Sequence, residues 1–302
     1  MRHFYTGIFL LWTLACWAGV PRMSPPEPIG IALDPEQGHL VAVEGVTGRL
    51  SVGRRLFDGP VEAVWPAGTR TLIRTAVGWQ LLDWSQSWTV AKGIDLGERD
   101  WAAPVWNGRG SAWLACGEGT GICGIYRGED GRLVRELRGG ARLRSLALSD
   151  NGVDALLSEE GGVVLWDGRD ALVPVASGEG FLGAFAPGGE RLATLDAAGT
   201  LRITEVRTAA SQQVDAPAGG VGLVWSGGFL VTVHRSGEIR RWDERGESVF
   251  AGSCGCEPAG AWIAGQDLIR LHDSLKQVGH FLGFSGGEAV FTLLPALAPE
   301  VR

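Results

Sequence analysis

Apolar residues in this chain come in short runs separated by turn residues, and the clearest run of units lies between Leu146 and Asp243. Leu182-Gly183-Ala184-Phe185 is followed by Pro187-Gly188-Gly189, then Arg191-Leu192-Ala193-Thr194-Leu195, then Asp196-Ala197-Ala198-Gly199, then Thr200 to Glu205. Runs this short, bounded by glycine, proline and aspartate, read as strands and not as helices, which show a longer period over a longer stretch. Alternation inside the runs is imperfect, as expected of sheets covered on both faces. The same order recurs before and after. Gly161, Gly199 and Gly237 fall at one constant interval, and Trp166, Thr204 and Trp242 repeat it without a gap. A fixed period of about 40 residues marks a repeat architecture.

With the turn glycine as anchor, units centre on Gly48, Gly78, Gly121, Gly161, Gly199 and Gly237, and a seventh has Leu275 in the glycine's place. Each unit reads as four strands, a to d, with the anchor in the b–c turn. Four strands per unit, repeated around an axis, predict an all-β fold: a β-propeller, of seven four-stranded blades, over residues 29–297, with 298–302 as a tail. Unit one is short. The stretch between Gly48 and Val61 leaves too little chain for its outer strand. A further strand, Glu288 to Leu294, either completes the last blade or pairs with the first, since an open ring would expose two strand edges.

Leu182 to Glu205 and Phe229 to Asp243 resemble WD40-type repeats: an apolar strand, a proline-glycine turn, an apolar strand and a Trp-Asp ending. Trp-Asp stands at Trp166-Asp167 and Trp242-Asp243, and no unit opens with Gly-His. The resemblance is therefore to a degenerate propeller of the WD40-like or YVTN-like kind, without the buried Asp-His-Ser/Thr-Trp network of typical blades. It implies a rigid module that binds a protein or peptide. In such propellers the b–c turns share a face with the connections between blades.

Composition adds location and exclusions. Forty-seven glycines suit many tight turns, and a net charge of −7 argues against a nucleic-acid surface, which needs a basic stripe. Met1-Arg2-His3, an uncharged run from Phe4 to Val20 and small residues near its end describe a signal peptide over 1–18. Residues 19–28 form a proline-rich leader. An uncleaved membrane anchor and a lipoprotein modified at Cys16 are the alternatives. Each places the folded part outside the cytoplasm, periplasmic or extracellular, with membrane contact only through the N-terminus.

Candidate chemistry is thin. Gly119-Thr120-Gly121-Ile122-Cys123-Gly124 has dinucleotide-type glycine spacing but sits on a b–c turn with a strand after it, where a helix is required. Gly283-Phe284-Ser285-Gly286-Gly287 matches a nucleophile elbow, again with a strand following. Ala42 to Arg49 looks like the repeat of quinone-cofactor propellers, with Glu44 for aspartate, and matches in that unit alone. No catalytic set, cofactor or metal site is expected. A propeller enzyme, quinoprotein or hydrolase, with its site in the central channel is the alternative to a binding module. Trp65, Trp106, Trp225 and Trp262 fall in or near strand a and are expected to pack between blades. Trp79, Trp84, Trp88 and Trp101 cluster around blade two as a candidate stacking patch.

Cys116 and Cys123 flank the b–c turn of blade three symmetrically, so an export route predicts a disulfide between them. Cys254 and Cys256 are separated by Gly255 alone, which favours two thiols over a strained mutual bond. Three positions before each anchor stand Gly45, Thr75, Glu118, Ser158, Asp196, His234 and His272. The six polar ones are the candidate binding ring on the b–c face, with His234 and His272 equivalent in adjacent blades.

Overall fold

In the structure, a computed structural model, residues 28–33, 38–46, 49–85, 89–97, 100–139, 142–168, 171–265, 268–271, 280–285 and 288–293 are described. Strands follow one another along the chain, each pairing antiparallel with the next within its own sheet. Blade one holds β1 (Pro28–Leu33), β2 (Leu40–Val46) and β3 (Arg49–Phe57). Blade two holds β4 (Ala63–Ala67), β5 (Arg70–Thr75), β6 (Gly78–Asp83) and β7 (Val90–Ile94). Blade three runs β8 (Val105–Trp106), β9 (Ala112–Cys116), β10 (Ile122–Arg127), β11 (Leu133–Arg138). Blade four runs β12 (Arg144–Leu148), β13 (Ala155–Glu159), β14 (Gly162–Trp166), β15 (Leu172–Ser177). Blade five is β16 (Leu182–Phe185), β17 (Arg191–Leu195), β18 (Thr200–Glu205) and β19 (Ser211–Asp215). Blade six is β20 (Gly220–Ser226), β21 (Phe229–His234), β22 (Glu238–Trp242) and β23 (Ser248–Ser253). Blade seven is β24 (Trp262–Gly265), β25 (Leu268–Arg270), β26 (His280–Ser285) and β27 (Glu288–Leu293).

The first strands line the axis. β4 touches β8, and β12, β16, β20, β24 and β1 continue the ring, each beside the next. Blade one has three described strands where the others have four, because only the short stretch 58–62 connects β3 to β4. The strand over 288–293 completes blade seven and lies alongside β3 without pairing to it. Among the described residues no strand from one end of the chain enters a sheet at the other end.

The hydrophobic clusters straddle blade boundaries. Leu114, Cys116 and Ile125 of blade three meet Leu157, Val164 and Trp166 of blade four. Ile31, Leu40 and Ala42 meet Ile73, Leu82 and Trp84 across the first boundary. Apolar side chains on both faces of a sheet explain the imperfect alternation, since neither face meets water.

The anchor glycines hold the repeat together. Gly199 has φ +96°, and a Cβ there would fall 2.3 Å from the carbonyl oxygen of Ala216. Its own carbonyl accepts the Ala216 N–H at 2.8 Å, where strand d ends. The same bond recurs from Gly139 to Gly121, from Gly178 to Gly161 and from Cys254 to Gly237. A left-handed backbone in close contact with the next loop is what only glycine supplies without strain.

One expectation is corrected. The indole N–H of Trp242 donates to Thr232 Oγ1 at 3.1 Å, and Nε2 of His234 lies 3.0 Å from the same oxygen. A Trp-Thr-His part of the buried network thus exists in blade six. Trp84 donates to Thr71 Oγ1 at 3.0 Å in blade two. Thr71 and Thr232 face Leu82 and Arg240 across their hairpins, and each tryptophan lies two positions further on. In blade four the threonine position is Leu157, opposite Val164, and the buried Trp166 indole N–H has no acceptor among the described residues.

Candidate functional site

Because strands a and b run in opposite directions, a–b turns gather at one end of the ring and b–c turns at the other. The sequence-derived ring lies at the b–c end, and the structure separates its members. Glu118 is exposed in its turn, with its N–H bonded to Asp100 O. Ser158 is half-buried on β13, between Arg144 and Val163. Asp196 is half-buried, its Oδ1 accepting the Thr200 N–H at 2.7 Å, a turn-closing bond. Thr75 is buried and donates to Gly78 O at 3.1 Å. His234 is fully buried against Thr232. His272 lies outside the described residues. Thr75 and His234 are interior, beyond the reach of a docked protein, which corrects their place in a binding surface.

Turn length differs between blades, but it does not set depth: blades five and six share one turn, with pairing ending at Leu195–Leu201 and at Val233–Ile239, yet Asp196 is half-buried and His234 fully buried. In blade two Thr75 pairs directly with Gly78, whereas in blade six the pairing stops at Val233 and Ile239. Three positions before the anchor is therefore a strand residue in some blades and a turn tip in others.

Of the blade-two tryptophan patch, Trp84 and Trp101 are buried and Trp79 is half-buried. Trp84 is buried on Thr71, Trp101 meets Tyr126 edge-on at 6.0 Å, and Trp79 stacks on Trp65 at 5.0 Å. Trp88 lies outside the described residues. The first glycine motif sits in the hairpin between β9 and β10. The described part of the second, Gly283 to Ser285, ends β26, with the strand β27 after it; Gly286 and Gly287 lie outside the described residues. Among the described residues no three His, Cys, Asp or Glu side chains group closely enough to hold a metal ion.

Among the described residues a wide concavity lies at the other end. A cavity of about 670 Å³ opens along the inner strands toward the a–b turns. Its wall is apolar and aromatic, with Trp65, Trp106, Leu146, Phe185, Trp225 and Ile263 among its residues. Trp106 is fixed by donating its indole N–H to Trp65 O at 2.8 Å. The Trp225 ring has the Arg191 guanidinium 5.9 Å from its centre. Gly68 follows the end of β4, and Pro187-Gly188 lie in the turn after β16, with Gly68 and Pro187 beside the cavity.

Polar groups sit at that rim. Asn107 Oδ1 accepts the N–H groups of Ser111 and Ala112, and its Nδ2 donates to Asp150 O at 3.1 Å. Asp150 Oδ2 accepts the Gly188 N–H at 3.1 Å and lies 3.7 Å from Arg109 Nε. Blades three, four and five are thereby joined at the channel mouth. A concave, mostly apolar site with a few fixed polar groups is the form of a ligand seat. The tryptophan column of strand a was visible in the sequence. As expected, Trp225 packs in the cluster that blades five and six share, and Trp65 and Trp106 pack against the cluster of blades two and three, while all three also border the cavity.

Among solved structures similar to this chain is the β-propeller domain of Cps50 (Swd1) from Myceliophteria thermophila, at a TM-score of 0.51 and 16% identity. The match covers 64% of this chain and 68% of that one. The chain has the WD40-like β-propeller fold. No family model matches it, and no curated protein does. Identity this low carries the fold alone. A WD40-like propeller is consistent with a protein-binding scaffold, because its loops and channel are held by a rigid ring.

Proposed function

We propose that this protein is an exported, non-catalytic WD40-like propeller that binds a protein partner by seating an apolar, aromatic-bearing segment in the channel mouth at the a–b end. The observation that carries this reading is the wall formed by Trp65, Trp106, Phe185 and Trp225 around about 670 Å³. Burying one aromatic side chain there removes on the order of 150–250 Å² from water, the kind of anchor that dominates an interface. The uncharged run from Phe4 to Val20 supports export. The remaining exposed member of the sequence-derived ring, Glu118, stands at the far end and serves as the control.

The test compares Phe185→Glu with Glu118→Lys, each checked for an unchanged far-ultraviolet spectrum, in capture of the partner that co-purifies from the native envelope. Phe185→Glu is expected to abolish capture and Glu118→Lys to leave it intact. Loss with Glu118→Lys and retention with Phe185→Glu would put the seat at the b–c end.

A further inference from the structure

Among the described residues two disulfides close, and they differ in access. Cys116 and Cys123 face each other across β9 and β10, both fully buried between blades three and four. Cys254 and Cys256 are also bonded, against the expectation of thiols, and both are partly exposed in the loop that leaves β23. Gly255, at φ +61°, reverses the chain between them and brings the two Cα atoms to 5.1 Å. No side chain projects from Gly255 or from Gly237, the two residues that flank the sulfurs.

A bond that closes so short a loop restricts the unfolded chain least, so it contributes least to stability by that route. The loop is already tied down without it, since Cys254 N–H donates to Gly237 O at 3.0 Å. The two sulfurs are also unequal. Both pack against the cluster shared by blades six and seven, but of the two only Cys254 Sγ accepts a backbone N–H among the described residues, that of Cys256 at 3.2 Å. A backbone N–H aimed at sulfur favours its thiolate form, and the sulfur better held as thiolate is the better leaving group.

We propose that Cys254–Cys256 is a thiol–disulfide exchange site for a dithiol partner, with Cys256 as the attacked sulfur. The incoming thiolate forms a bond to Cys256 Sγ. The S–S bond breaks, and its electron pair goes to Cys254 Sγ beside the Cys256 N–H. The partner's second thiolate then attacks its own sulfur in the mixed disulfide and releases Cys256. The partner dithiol is oxidised to a disulfide, the cysteine pair gains two electrons, and both sulfurs take up protons. The site lies at the b–c end, between blades six and seven, apart from the channel mouth, so it does not depend on the binding role above.

The test uses the oxidised, folded full chain. Treatment with limiting dithiothreitol, acid quench, alkylation and peptide mapping should label Cys254 and Cys256 while Cys116 and Cys123 stay bonded and the far-ultraviolet spectrum is unchanged. Reduced glutathione, a monothiol, should leave its adduct on Cys256 and an alkylatable thiol at Cys254. Reduction of the buried pair first, or reduction of either pair only on unfolding, overturns the proposal. So does an adduct on Cys254, or alkylation of the 254–256 pair without any reductant.

Discussion

Thr232, deep between blades five and six, serves two neighbours at once: its hydroxyl accepts from the Trp242 indole and meets His234 Nε2. A hydroxyl has one proton to give and lone pairs to receive with, so it can accept from the indole and donate to the imidazole while that ring is neutral. Thr232→Val keeps the shape and removes both bonds, leaving two buried polar atoms without these partners. The expected cost is about 1–3 kcal/mol, read as a lower denaturation midpoint at an unchanged m-value. His234 itself sets a pH dependence. Burial holds its pKa below the ordinary 6.5, with Glu238 pulling it upward and Arg240 downward. The unfolded chain therefore takes up a proton at pH values where the folded one does not, and acid favours unfolding. Its contribution to stability is full above 6.5 and declines as pH falls below it. Denaturation midpoints in neutral and in mildly acidic buffer should differ less in His234→Gln than in the unaltered protein.

At the scale of the element, the b–c hairpin is where the repeat can be broken by one methyl group. Gly161 and Gly199 share a positive φ, +93° and +96°, but differ in surroundings. A Cβ on Gly161 meets open space, whereas on Gly199 it meets backbone oxygen at 2.3 Å. Gly161→Ala should cost about 1–2 kcal/mol through backbone strain alone, and Gly199→Ala more, because Ala216 must also move. Equal losses in thermal denaturation would mean that the contact to the next loop is not what fixes the anchor. These hairpins also show what the chain discloses unaided. Strand bounds such as Arg191–Leu195 and Thr200–Glu205 are legible because glycine and aspartate punctuate them. The partial network of blade six is not. A histidine two places after a threonine on one strand shares its face by period-two geometry, and the familiar pattern places that histidine elsewhere. Nor is the depth of Thr75 and His234 visible, since Asp196 and His234 hold the same turn position in blades five and six and differ in what packs over them.

At the scale of the whole molecule, the number and order of blades follow from spacing, and so does the shortened first blade. The orientation of the inner strands does not, because a tryptophan that lines a channel and one that packs between sheets recur at the same interval. Ring closure was open between two arrangements, and the structure has the last described strand finishing its own blade beside β3. No described strand is exchanged between the two ends of the chain. The unit of heredity and the unit of architecture therefore coincide. A duplication of the segment 182–219 would copy four mutually paired strands together with the loop that leads onward. It would leave no strand stranded in a neighbour's sheet. Blades could be gained, lost or diverged one at a time, with each newcomer asked only to match the two faces it is slipped between.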